Sequence, residues 1–223
     1  MNDVFSAAPA PTYRLIPSRF PPIGLFDTVS TTADAAAVME LAEWTNDRLV
    51  EERIRRLPED EWVYGRPNSS VIMATFLHVQ PSGARFNGPD LGAWYAAAAL
   101  KTAAFEVGHH LRREAAATGR AAMERDFRAY TAGLEGSYLD ICGQQAQCPE
   151  VYASGSYTAS QALGEGTRAA GGAGILYDSV RHQGGVNVVA YRPRNIADVT
   201  QTDHWRLRVE AGSARMEMRK LAK

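Results

Sequence analysis

Apolar and polar positions alternate in short blocks along this chain, and few blocks are long enough to identify their element by period alone. Residues 1–12 are rich in Ala and Pro and are expected to be loose. Pro17, Pro21, Pro22 and Gly24 interrupt residues 13–26, which therefore read as extended or looped. The longest helical repeat comes next. Val38, Leu41, Ala42, Trp44, Thr45, Leu49 and Ile54 recur at helical spacing behind a Thr31-Thr32 cap. Glu51, Glu52, Arg53, Arg55 and Arg56 supply its solvated face, and Pro58 ends it.

Residues 70–79 form an apolar, partly β-branched run with the length of a buried strand. Residues 84–90 begin as strand and end in a turn, whereas the alanine-rich stretch 92–117 reads as one helix on propensity. Residues 126–138 mix short strand and turn signals, and residues 144–160 read as polar loop. Ser160 offers a cap to a helix over 161–170, which Gly171, Gly172 and Gly174 would end. Residues 175–177 and 186–191 read as strands, and 203–223 as either a strand pair or a helix. This succession predicts an α+β domain with residues 30–65 as a helical insertion or flank.

Composition narrows the class. Hydrophobic residues make up 45% and charged residues 22% of the 223, enough apolar surface for a sizeable core and too little charge for bulk disorder. The formal net charge of -1 leaves no global field to attract nucleic acid or an anionic membrane. Cys142 and Cys148 form no CxxC pair and are expected as reduced thiols. With no signal-peptide pattern and no apolar run of about 18 residues, the chain is expected in the cytoplasm.

Common catalytic signatures are missing: no GxGxxG after a strand, no P-loop, no HExxH and no GxSxG. His109 and His110 are adjacent, so on a helix they diverge by about 100° and make a poor metal pair. No metal is expected. Charges set in apolar surroundings remain: Arg85 beside Phe86, and Glu106 within Ala103-Ala104-Phe105-Glu106-Val107-Gly108. A carboxylate placed so costs free energy unless paired or functional. A structural Arg85–Glu106 salt bridge and a functional site explain the pair equally well. Thr102 and Glu106, four apart, share a helical face, and Tyr95 would join them on an unbroken helix.

Several blocks resemble RES-domain proteins. They are Tyr13-Arg14, Arg85-Phe86-Asn87-Gly88, Trp94-Tyr95, Thr102 to Glu106, Tyr177-Asp178-Ser179, and Gly184-Gly185-Val186-Asn187. The family takes its name from an arginine, a glutamate and a serine, which match Arg85, Glu106 and Ser179, and the match spans about residues 13–15 and 66–192. The resemblance implies one RES domain over residues 13–223, related to ADP-ribosyltransferase toxins, with a pair of mixed sheets around an NAD cleft. It also implies a strand through Trp94-Tyr95-Ala96 and a helix starting near Leu100.

The implied activity is that of a type II toxin cleaving the nicotinamide–ribose bond of NAD. Its acceptor stays open between phosphate, water and a protein such as an enzyme of nucleotide synthesis; a catalytically silent interaction module is the alternative from another class. The implied partner is an antitoxin with a helix-turn-helix region that covers the cleft, and a homodimer is left open. In such a site Glu106 would stabilise a cationic ribose. Arg85 and Arg14 would clamp the pyrophosphate. Tyr95 and Tyr13 would stack on or orient the nicotinamide. Ser179, Asn187, Asn87 and Thr102 would supply hydrogen bonds, and Arg181 a phosphate contact or merely an exposed loop charge.

Overall fold

A computed structural model describes residues 4–20, 24–45 and 56–222. The expected α+β architecture is present as a nine-stranded, mostly antiparallel sheet with flanking helices. The strands are β1 (Phe5–Ala7), β2 (Thr12–Pro17), β3 (Trp94–Ala97), β4 (Ala122–Leu134), β5 (Ser137–Asp140), β6 (Gly174–Asp178), β7 (Val186–Ala190), β8 (Ile196–Glu210) and β9 (Met216–Lys220). Their order across the sheet is β1-β5-β6-β7-β3-β2-β4-β8-β9, and β5–β6 is the parallel junction.

The centre of this order is its weakest junction. β2 matches β4 over six consecutive pairs but meets β3 only at Tyr13↔Ala97. The implied pair of sheets is thus one hydrogen-bonded sheet whose pairing lapses between β2 and β3 beyond that single pair. Across the gap, Arg14 Nη1 donates to the Tyr95 carbonyl at 2.6 Å and replaces a lost ladder bond. This split opens the cleft described below.

Several elements differ from expectation. The run 70–79 is helix α2 (Ser69–Leu77), not a strand. A short apolar run cannot distinguish the two by period, and the tertiary fold decides. The Asp27 carboxylate accepts N–H bonds from Asn68 and Ser70 and the Ser70 hydroxyl, at 2.8–2.9 Å, and so satisfies the helix start. The stretch 92–117 is not one helix. Trp94–Ala97 is pulled into the sheet between β7 and β2, and α3 (Leu100–Ala117) begins after it, as the resemblance implied.

The mixed signals of 126–138 conceal the long strand β4, whose alternation is broken by two register shifts against β8, near Arg128/Tyr130 and Thr131/Gly133. Residues 1–12 are not all loose, since β1 pairs with β5 and Ser6 Oγ donates to Asp140 at 2.8 Å. Backbone bonds hold β1, as Phe5 itself is 56% exposed. Ser160 is no cap either. It lies inside α4 (Thr158–Ala169) and donates to the Tyr157 carbonyl.

Other expectations stand. Thr31 Oγ1 accepts the Asp34 N–H at 3.1 Å, which caps α1 (Thr32–Thr45). The rest of the expected helix over residues 46–55 lies outside the described residues. Residues 203–223 resolve to strand pairing between β8 and β9. Cys142 and Cys148 are free thiols, and burial pushes Cys142 up to about 12.

Helices cover both faces. On one face α2 packs Ile72, Met73 and Phe76 against Trp94, Tyr130 and Val188. On the other, α3 seats Ala103 and Ala104 on Leu15, Phe127 and Ala129, and the turn between α2 and β3 places Phe86 against Ile175, Tyr177 and Val189.

Candidate functional site

The split between β2 and β3 opens into a cleft of about 1050 Å³. Eight of the ten residues singled out from the sequence line it: Tyr13, Arg14, Arg85, Asn87, Tyr95, Glu106, Arg181 and Asn187. Thr102 and Ser179 stand behind that wall, 1% and 6% exposed.

Glu106 projects from α3 toward the cleft with one oxygen engaged twice. Ser179 Oγ donates to Oε1 at 2.6 Å and Asn187 Nδ2 donates to the same atom at 2.7 Å. Such short bonds fix the carboxylate in place. Among the described residues Oε2 has no hydrogen-bond partner, so it is the oxygen left for a ligand. Ser179 has no comparable freedom. Its proton goes to Glu106, while its oxygen accepts the N–H of Arg181 at 3.1 Å and of His182 at 3.0 Å. A hydroxyl so saturated orients its neighbour and is a poor nucleophile.

The Arg85–Glu106 salt bridge does not form. Arg85 Nη1 donates to the Val151 and Ala153 carbonyls at 3.3 and 3.1 Å, and the guanidinium lies 4.7 Å over the Tyr157 ring. Tyr95 anchors the turn that carries Arg85. Its hydroxyl donates to Asn87 Oδ1 at 2.8 Å and accepts the Phe86 N–H at 2.9 Å. Burial drives this phenol well above the usual tyrosine range, so it stays protonated. Asn87 also donates to Gly88 and Leu91 carbonyls and serves the same turn. Thr102 Oγ1 bonds His182 Nδ1 at 2.9 Å, so its hydroxyl is turned to the 179–185 loop.

Charge distinguishes this cleft from the rest of the surface. Arg14, Arg85, Arg113, Arg128 and Arg181 line it with a single carboxylate, Glu106. Among the described residues none of these five forms an ion pair, although eight other arginines do. Burial pulls Arg14 down to about 10, which leaves it cationic at neutral pH. His109 also lines the cleft; burial, then the nearby Arg181 charge, pulls it down to about 4 and keeps it neutral.

Arg113, Arg128 and His182 were not singled out from the sequence. Arg128 sits among Phe127, Ala129 and Tyr130, a charge in an apolar strand comparable to the signal that marked Glu106. Arg113 looks like any solvated helix charge. Among the described residues no group of three or more His, Cys, Asp or Glu could hold a metal ion, and no helix is long and apolar enough to cross a membrane.

An α+β sheet is thus split around a cationic cleft with one doubly held carboxylate on its wall, a charge pattern complementary to an anionic ligand. The chain belongs to the RES domain family, whose model matches residues 53–210, as the resemblance carried by Arg85, Glu106 and Ser179 implied. Among solved structures it is similar to the crystal structure of the M. tuberculosis MbcT–MbcA toxin–antitoxin complex. The sequences are 20% identical, the TM-score is 0.40, and the match covers 55% of this chain and 73% of that one. No curated protein matches the sequence.

Proposed function

We propose that this chain is the toxin of a type II toxin–antitoxin pair, acting in the cytoplasm by cleaving the nicotinamide–ribose bond of NAD. The observation that carries the reading is the Glu106 carboxylate, held at Oε1 by Ser179 and Asn187 on the wall of a cleft with five arginines that form no ion pair among the described residues. A dinucleotide brings two phosphate charges that the arginines can neutralise, and a reacting ribose that becomes cationic as its bond to nicotinamide breaks. Arginine charge alone would oppose that cation. Glu106 Oε2 supplies the compensating negative charge where it develops, without reorganising at the moment of reaction.

Nicotinamide leaves as a neutral base with the electron pair of the broken bond, and an acceptor oxygen forms the new bond to the ribose carbon. Inorganic phosphate needs no general base for this step and yields ADP-ribose 1″-phosphate; water yields ADP-ribose and releases a proton. Arg113 and Arg181, which line the same cleft as Glu106, favour an anionic acceptor. Arg14 and Arg85 hold the pyrophosphate, with Tyr13 and the ring of Tyr95 against the nicotinamide and Asn187 at its polar edge, while Asn87 shapes the turn that carries Arg85. The antitoxin would act by covering this cleft.

Purified protein incubated with labelled NAD, with and without phosphate, tests the reading. ADP-ribose 1″-phosphate in the phosphate arm is the expected product. Label on a lysate protein would replace this acceptor with a protein one, and intact NAD in every arm would refute the proposal.

A further inference from the structure

His182 lies in the 179–185 loop and touches α3 at Thr102 and Phe105, within the helical turn that leads into Glu106. Its Nδ1 bonds Thr102 Oγ1 at 2.9 Å, four residues before Glu106. Its ring stacks on Phe105, one residue before Glu106, with centroids 4.7 Å apart and planes 7° from parallel. Its backbone N–H donates to Ser179 Oγ, and that hydroxyl donates to Glu106. The loop closes on itself, with Ser179 N–H bonded to the Gly185 carbonyl at 2.8 Å and Gly185 N–H to the His182 carbonyl at 2.9 Å. Gly185 is needed for the close approach, because a Cβ there would lie 2.8 Å from both His182 Nδ1 and the Thr102 side chain. Neither His182 nor Thr102 lines the cleft.

We infer that His182 and Thr102 form a latch that fastens the 179–185 loop to α3 and thereby holds the Ser179 hydroxyl on Glu106. The circuit is closed: α3 at Thr102, across to His182, along the loop to Ser179, and back to α3 at Glu106. Opening it anywhere frees the two N–H groups that aim Ser179, and with them the carboxylate. His182 is therefore a positioning residue that touches no substrate, and Thr102, expected at the ligand, belongs to the latch. Arg181 lies inside the loop, so the latch also sets where that charge enters the cleft.

The activity arm of the test rests on the proposed NAD cleavage; the exchange arm does not. Thr102→Val and His182→Phe each remove the hydrogen bond while keeping volume or stacking. Each is expected to speed amide exchange of Arg181 and His182 by about tenfold, the worth of one hydrogen bond, with global stability falling by no more than that same amount. Each should lower kcat for NAD roughly 10- to 100-fold through misplacement of Glu106, with KM within about twofold. The double variant should be no worse than the poorer single one, and His182→Asn should recover activity relative to His182→Ala. Unchanged amide protection, or losses that multiply in the double variant, would overturn the latch. If wild-type protein leaves NAD intact while the exchange results hold, the latch stands and the proposed reaction falls.

Discussion

Glu106 is fixed through one oxygen and leaves the other to the cleft, so its charge and its position can be separated. Glu106→Gln keeps the shape and can still accept the Ser179 and Asn187 bonds at its carbonyl oxygen. It should cut nicotinamide release by about 100-fold or more, the scale of a removed transition-state electrostatic contact, while ADP-ribose still binds. Wild-type turnover in this variant would eliminate the carboxylate from the mechanism. His109 offers a second residue-level check. Its folded pKa near 4 lies below the unfolded value near 6.5, so between these pH values the unfolded chain binds the extra proton. Stability from this residue is fully present above about pH 6.5 and is lost as pH falls toward 4. An NMR titration of the His109 ring should give a midpoint near 4, and one near 6.5 would show an unperturbed, solvated side chain.

At the scale of elements, α4 sets the turn that carries Arg85. A Cβ on Gly164 would stand 1.9 Å from the Phe86 carbonyl oxygen and 2.6 Å from the Tyr191 hydroxyl, which itself donates to that carbonyl. Glycine to alanine inside a helix ordinarily stabilises by about 1 kcal/mol. Here the sign should reverse. Gly164→Ala is expected to cost about 1–3 kcal/mol in urea unfolding, because the helix must retreat from backbone it cannot displace. A neutral or stabilising result would show that the turn yields and that Arg85 is not held as tightly as its contacts imply.

Across the whole molecule, charge is unevenly paired: among the described residues eight of the thirteen arginines outside the cleft sit beside carboxylates, and none of the five inside it does. Arg14 and Arg128 lie on one sheet face by the β2–β4 register, Arg14 opposite Tyr130 and Ile16 opposite Arg128, a diagonal pair about 7–8 Å apart. Each guanidinium spends one donor on a backbone carbonyl, of Tyr95 and of Phe20. Arg128→Gln should therefore raise KM for NAD about tenfold, roughly the worth of one charged hydrogen bond, and leave kcat nearly unchanged. The ADP-ribose affinity of wild type should fall with added salt more steeply than that of the variant. Equal salt dependence would remove Arg128 from the phosphate contacts.

Spacing alone determined the Thr31 cap, the strands at β6 and β7, and the shared face of Thr102 and Glu106, since each depends on neighbours within about one helical turn or one strand. Short motifs in order added Arg85, Ser179, the strand at Tyr95 and the family itself. Tertiary structure decided the rest. α2 is a helix because Asp27, over 40 residues away, satisfies its first N–H groups, and β4 is one strand because β8 pairs with it through two bulges. Tyr95 and Asn87 proved to hold a turn, and Arg85 to lie on carbonyls and Tyr157 instead of Glu106. His182 gave no sign in the sequence. Its effect arises only when a loop some 80 residues away closes against α3. Residue types announce which chemistry is available, but which donors a carboxylate keeps depends on the fold that brings distant segments within hydrogen-bond reach.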